Sequence, residues 1–434
     1  MNIKTVTVIG ANGTMGCGIA GIIASFGDAK VYMICRRQDS ACQARQRAAL
    51  SVRAEAVAKN LIPKTYEDLA ECIRDSDLVI ESVAEDIVIK KAVYTEIAPY
   101  LKPDTIIATG TSGLSIEELS KAFHEELREN FLGIHFFNPP YHMILCEVIP
   151  SRYTNRRIVD GIKEYLDTVL YRKVVEVKDH PAFLGNRVGF QFINEAMQCA
   201  KAHEDKGGID YIDAILGPFT GRSMAPLVTS DYVGLDIHQA IVDNVYHNTE
   251  DYAHDTFRLP DYVIQLISEH RLGRKSGSGL YQTIVNPDGT KSYQVYEILS
   301  GEYRPVKRYV FPFALQMRKY FKRGNYSAAF RELIENQSPE ASICLQFLMK
   351  YAIYGIITAK TVGESIHSAD DVMAAGFHWV PPLAVMDALG GPEAFLKLSY
   401  QRLPAAYLSR IRLEEVFEEV TSSRYDFRPF FSAK

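Results

Sequence analysis

"VIGANGTMGCGIA", Val8 to Ala20, is the stretch on which the fold turns. A β-branched run, "TVTVIG", leads into it, and a small-residue apolar run, "MGCGIAGIIASF", leads out. The order strand, glycine turn, helix gathers backbone N–H groups and the positive end of a helix dipole around one point, where a pyrophosphate can sit. The usual spacing in such turns is Gly-x-Gly-x-x-Gly. Here the glycines are Gly10, Gly13 and Gly16, so the turn holds one extra residue, Asn12. Close strand–helix packing also calls for glycines, but the flanking strand and helix favour a dinucleotide site. Gly10, Gly13, Thr14, Met15 and Gly16 are its candidate residues.

Outward from the turn, "KVYMIC" reads as a second strand, followed by a polar helical stretch from about Asp39 to Lys59. "DLVIESV" (Asp77–Val83), "TIIATG" (Thr105–Gly110), "FLGIHFF" (Phe131–Phe137) and "LCEVIP" (Leu145–Pro150) read as further strands. Near-continuous apolar strands separated by helices predict an α/β domain, a doubly wound and mainly parallel sheet covered on both faces. Its ligands belong at the carboxyl ends of the strands. Near "KDHPAFLGNR", Lys178 to Arg187, the pattern becomes helical, with one hairpin in "YQTIVNPDGTKSYQVYEI" turning at "NPDG". "PLVTSDYVGLD" (Pro226–Asp236) and "PLAVMDALGG" (Pro382–Gly391) resemble one another. They point to a diverged helical repeat, the alternative being a chance likeness of two helix–loop–helix segments. The expected division is 1–180 for the dinucleotide-binding domain, 181–298 for a first helical domain and 299–434 for a second, diverged one.

The formal net charge of -5 provides no basic field for nucleic acid. The 7 cysteines are scattered and contain no Cys-x-x-Cys pair, which predicts reduced thiols in a cytoplasmic protein. No histidine grouping has metal-ligand spacing, His247 and His254 included, so no metal is expected. The chain starts straight into a strand pattern, so no signal peptide is expected. Its longest apolar stretch, Ile343–Ala359, is interrupted by Gln346 and Lys350 and reads as a buried helix, with no membrane partner expected.

Four sets of residues carry chemistry on their own terms. At the end of the second strand, where an NAD site places a carboxylate for the ribose 2′-OH, the text is Cys35, Arg36, Arg37. Paired arginines suit a 2′-phosphate, which tilts the cofactor toward NADP; a solvated charge pair at a helix start is the alternative. His135 and Glu147 each stand inside an apolar strand, where a polar side chain needs a partner. If their strands are neighbours, the pair forms a histidine general acid–base with an orienting carboxylate. Ser112 follows a strand at its carboxyl end, although Ser115 with Glu118 makes the better helix cap. Asn186 opens the helical half, either as a site residue or as a cap.

Together these segments resemble the L-3-hydroxyacyl-CoA dehydrogenase family from about Lys4 to Gln282. The carriers are "VIGANGTMGCGIA", "DLVIESVAEDIVIKK", "TSGLS", "GIHFFNPP", "CEVIP", "FLGNRVGF", "DYVGLD" and "GRKSGSGLY". The additional helical copy is similar to that of longer members, such as the dehydrogenase part of multifunctional fatty-acid oxidation proteins. The resemblance implies a Rossmann-type domain with all-α domains behind it, and an oxidoreductase converting L-3-hydroxyacyl-CoA and 3-oxoacyl-CoA with NAD or NADP. It implies that His135 is the general base, Glu147 its orienting partner, and that Ser112 and Asn186 hydrogen-bond the reacting oxygen. Glu85, Lys90, Asn138 and Lys275 match positions around cofactor and cleft, while Ser51 and, after a one-residue shift, Lys59 match contacts to coenzyme A. The second helical copy could stand in for a dimer partner. The chain departs from the family at Asn12, at Cys35 with Arg36 and Arg37, and at Gly110, where asparagine is usual. Those departures keep two alternatives open: a dehydrogenase of a small hydroxy acid without CoA, and an inactive acyl-CoA-binding module.

Overall fold

A computed structural model describes residues 1–53 and 55–431. Within them lie two compact units, one running to Phe183 and including Val362–Glu364, the other Leu184–Thr361 with the described residues from Ser365 on.

The first unit is built on β1 (Thr5–Ile9), β2 (Lys30–Cys35), β3 (Leu61–Thr65), β4 (Leu78–Glu81), β5 (Ile106–Thr109), β6 (Phe131–Phe136), β7 (Leu145–Pro150) and β8 (Lys173–Glu176). They lie in the order β3-β2-β1-β4-β5-β6-β7-β8. β1 to β6 run parallel, whereas β7 is antiparallel to β6 and parallel to β8. This is the mainly parallel, doubly wound sheet that the apolar strands predict. The order reverses at β1, which has β2 on one side and β4 on the other, and such a point opens a crevice at the carboxyl ends.

Sequence reading missed β3 and β8. Each is a short edge strand, "LIPKT" or "KVVE", largely half-buried and carrying lysine. Pro63 is tolerated in β3 because an edge strand has one ladder fewer to supply. Such edges shed the apolar run that marks a central strand. Two helices matter for the site: α1 (Thr14–Phe26) and α2 (Gln38–Ser51). The helix expected to run to Lys59 stops at Ser51, and Glu55–Asn60 forms a 3-10 turn.

The second unit is helical with one small sheet. The expected hairpin is present as β9 (Tyr281–Val285) and β10 (Lys291–Glu297), and β11 (Glu302–Pro305) adds a third strand. The long apolar stretch lies within helix Pro339–Val362, which by length and composition matches a membrane span. The most apolar window of that helix is 72% buried inside the protein.

The two related segments share one construction. Helix Pro226–Val233 and helix Pro382–Ala388 both open on proline. Asp213 accepts N–H bonds from Leu227 and Val228 at the start of the first, and Asp370 accepts one from Leu383 at the start of the second. A residue from a following segment closes each copy. Tyr281 donates its backbone N–H to Asp231 and its hydroxyl to Asp213. Ser423 donates its backbone N–H to Asp387 and its hydroxyl to Asp370. In both segments one following residue thus crosses between two aspartates.

The boundary expected at 298/299 does not separate compact bodies, since both helical stretches fall in one unit. Phe192 packs against Phe347, Tyr351 and Trp379 with ring centroids 5.4, 5.7 and 5.5 Å away. Tyr211 donates to Glu340 across the same line.

Candidate active site

The glycine turn joins β1 to α1. Gly10 takes φ +81, and a Cβ there would lie 2.5 Å from the Ser82 carbonyl oxygen. At Gly16 a Cβ would lie 2.7 Å from the Gly10 carbonyl oxygen. Gly10 therefore makes the turn, and Gly16 lets the helix close on it. Gly13 differs: its φ is -70, and the nearest atom to a Cβ there is 3.5 Å away. Among the described residues, a Cβ at this position would meet only ordinary contacts. Gly13 also caps α1 without a side-chain acceptor, and no acidic residue stands in the first turn. The amides of Thr14, Met15 and Gly16 thus start a helix with no carboxylate in the place of an anion, as a pyrophosphate requires.

At the end of β2 the Cys35 side chain is buried, and Arg36 and Arg37 are exposed. Burial pushes the Cys35 thiol above its ordinary value, against the pull of the Asn12 N–H and of Arg47. Among the described residues, no carboxylate is ion-paired with Arg36 or Arg37.

The ends of β4 and β5 hold a polar cluster. Glu81 is fully buried and accepts from Lys90 Nζ at 2.8 Å, Tyr94 Oη at 2.6 Å, Thr109 Oγ1 at 2.9 Å and the Val83 N–H at 2.6 Å. Burial, with the Glu81 charge beside it, holds the Tyr94 hydroxyl well above its ordinary value. Glu85 accepts from Thr111 Oγ1 and the Ser112 N–H at 2.6 and 2.7 Å, and lies 3.4 Å from Lys90 Nζ. One chain of contacts therefore runs from Glu81 through Lys90 and Glu85 to Ser112. Sequence reading proposed Glu85, Lys90 and Ser112 and missed Glu81, Tyr94, Thr109 and Thr111. The signal for Glu81 was present: a carboxylate inside the apolar strand "LVIE", the same argument that singled out Glu147.

His135 and Glu147 are cross-strand partners in the antiparallel β6–β7 ladder. His135 Nδ1 and Glu147 Oε2 are 2.7 Å apart, with both side chains at most 5% exposed. The ring packs against Phe137 and Phe183, centroids 4.5 and 5.7 Å away. An ionised carboxylate only accepts, so Nδ1 carries the proton and Nε2 is the basic face of the ring.

Ser115 caps helix Ile116–Ser120, accepting from the Glu118 N–H, so Ser112 is not the cap. Ser51 closes α2, its hydroxyl donating to the Ala48 carbonyl, and Lys59 is exposed on the 3-10 turn. A cavity of about 450 Å³ opens on the same segment, lined by Cys42, Arg45, Gln46, Ala49, Leu50 and Ala58. Asn138, just past β6, is exposed. Asn186 and Lys275 belong to the second unit. Asn186 is the second residue of helix Gly185–Ala202, inside its cap, and is buried. Lys275 lies 2.5 Å from Asp236. Among the described residues no His, Cys, Asp and Glu group is arranged to hold a metal ion.

A strand–turn–helix anion site at the reversal of a mainly parallel sheet defines a dinucleotide-binding α/β protein. Residues 5–180 match the family model described as 3-hydroxyacyl-CoA dehydrogenase, NAD binding domain, and residues 183–283 match its C-terminal domain. The chain belongs to the 3-hydroxyacyl-CoA dehydrogenase family. A 3-hydroxybutyryl-CoA dehydrogenase of Bradyrhizobium diazoefficiens is 32% identical over 291 residues, 64% of this chain and 95% of that one. A probable 3-hydroxyacyl-CoA dehydrogenase of Bacillus subtilis is 29% identical over 344 residues, 78% of this chain and 42% of its own length. The chain spans about half the length of the curated relatives that match most of it. The solved 3-hydroxybutyryl-CoA dehydrogenase of Escherichia coli K12 superposes with a TM-score of 0.69 over 96% of this chain and 98% of that one. At 23% identity that likeness concerns the fold.

Proposed function

We propose that the chain oxidises L-3-hydroxyacyl-CoA reversibly to 3-oxoacyl-CoA, with a nicotinamide cofactor and His135 as general base. The observation that carries the reading is the buried His135–Glu147 pair inside the family's NAD-binding domain. Gly13, Thr14, Met15 and Gly16 hold the pyrophosphate, and Glu85, Lys90 and Asn138 lie around the cofactor. When bound, the nicotinamide supplies the hydride acceptor. His135 Nε2 takes the proton of the 3-hydroxyl as that hydride leaves. Glu147 fixes the tautomer and stabilises the imidazolium that results. Ser112 donates to the reacting oxygen, and the Glu85 carboxylate holds the Ser112 backbone in place. Ser51 and Lys59 contact coenzyme A. Arg36 and Arg37 tilt the cofactor toward NADP.

Acetoacetyl-CoA reduction, followed by loss of NADPH or NADH absorbance, tests this directly. Turnover with NADPH above NADH is expected. No turnover with either overturns the activity, and a preference for NADH overturns the NADP tilt alone. The proposal includes a cytoplasmic location, which the free cysteines favour and cell fractionation checks. It also includes the second helical copy as an internal substitute for a dimer partner, which the crossed aspartate construction favours. Light scattering is expected to give a monomer, and a stable dimer overturns that part.

A further inference from the structure

The extra residue of the glycine turn has a use that the fold alone does not require. Asn12 offers its carbonyl oxygen to Arg47 Nη2 at 2.7 Å. Arg47 stands in the third turn of α2, a helix tied to α1 by the Cys17 thiol donating to the Ala44 carbonyl at 3.2 Å. Cys35 occupies the end of β2, where an NAD-specific turn keeps its ribose-binding carboxylate. Three features therefore meet at the ribose end of the cofactor site. The carboxylate is missing, Arg36 and Arg37 follow directly, and a third guanidinium is fastened to the inserted residue. Among the described residues none of these arginines is ion-paired with a carboxylate. One Nη–H of Arg47 is spent on Asn12. A guanidinium carries five donors in a planar fork, so the others remain for phosphate oxygens.

We propose that Arg47, anchored by the Asn12 carbonyl, is a specificity-determining residue that reads a 2′-phosphate on the adenosine ribose of the cofactor, together with Arg36. The proposal rests on the NADP reading above and adds the residue that enforces it. If Arg47 were only a tie between α2 and the turn, its loss would act alike on every adenosine ligand.

Calorimetric titration of the full chain with adenosine 2′,5′-bisphosphate and with 5′-AMP separates the cases. The unaltered protein is expected to bind the bisphosphate more tightly. Arg47→Ala is expected to cost about tenfold or more in bisphosphate affinity, about 1.4 kcal/mol, with 5′-AMP unchanged. Arg47→Lys, which keeps the charge without the fork, is expected to recover part of it. Unchanged 5′-AMP binding shows at the same time that the variant is folded. An equal loss for both ligands, or no loss for either, overturns the role of Arg47 and leaves the NADP reading standing. An unaltered protein that does not distinguish the two ligands overturns the NADP reading, and this proposal with it.

Discussion

His135 and Gly13 are the residues whose replacement says most. With Nδ1 committed to Glu147, the ring has one nitrogen for the substrate. His135→Gln is therefore expected to lower kcat for acetoacetyl-CoA reduction by about a thousandfold, in the range for loss of a general base. Glu147→Gln keeps the ring but removes the carboxylate that orients it, so a smaller loss of kcat is expected. An unchanged kcat in His135→Gln excludes the role. Gly13→Ala makes a different point. The new methyl has 3.5 Å of room and an ordinary φ, so thermal stability should hold. On the proposed placement of the pyrophosphate, cofactor affinity measured by fluorescence titration should fall at least tenfold. Gly10→Ala should instead damage the fold itself, because its methyl meets the Ser82 backbone.

At the scale of elements, the ends of β4 and β5 are held by charge buried between them. Glu81→Gln leaves the Lys90 ammonium buried with Glu85 at 3.4 Å as its remaining carboxylate. Breaking one side of a buried pair costs about 3–5 kcal/mol, which urea denaturation reads directly. A midpoint equal to that of the unaltered protein would exclude Glu81 as the anchor. In the second unit, His238 on helix Leu235–Asn248 binds Asn194 of helix Gly185–Ala202 through Nε2 at 3.0 Å. Burial lowers this imidazole to about 3. The folded value is then below the unfolded one, about 6.5, so the unfolded chain binds a proton that the folded chain refuses. The contribution to stability is complete above about pH 6.5 and is lost as pH falls toward the folded value, by up to about 1.4 kcal/mol per pH unit. His238→Gln keeps a donor for Asn194 without a titrating ring. Its melting temperature should fall less than that of the unaltered protein between about pH 7 and about pH 5; equal declines would refute this.

Across the whole molecule, the helical half behaves as one body rather than two. Phe192, from its first copy, is covered by Phe347, Tyr351 and Trp379 from the second. The buried Arg222 guanidinium lies over the same Phe192, Tyr351 and Trp379 rings at 3.8, 4.9 and 4.8 Å. A chain cut after residue 298 would expose this aromatic surface to water. It is expected to aggregate, or to lose near-ultraviolet circular dichroism while keeping its helices. A soluble, cooperatively melting 1–298 fragment would show that the two copies are separable after all.

Several features were legible because their signals are local. A β-branched run, a glycine turn and an apolar helix announce the dinucleotide site within a dozen or so neighbours, and apolar runs mark the central strands. His135 and Glu147 were legible as polar residues that an apolar strand cannot bury alone. The edges β3 and β8 were not, because a half-buried edge has no apolar run to show. The sequence by itself determined the parallel-sheet class, the anion turn and the candidate acid–base residues, since each follows from the pattern of a short segment. Only the tertiary structure decided that β6 and β7 set His135 directly opposite Glu147. It alone joined Glu81 through Lys90 and Glu85 to Ser112, brought Arg47 to Asn12, and merged the two helical copies. Those outcomes depend on which distant segments become neighbours, and that is settled by long-range packing rather than by local pattern.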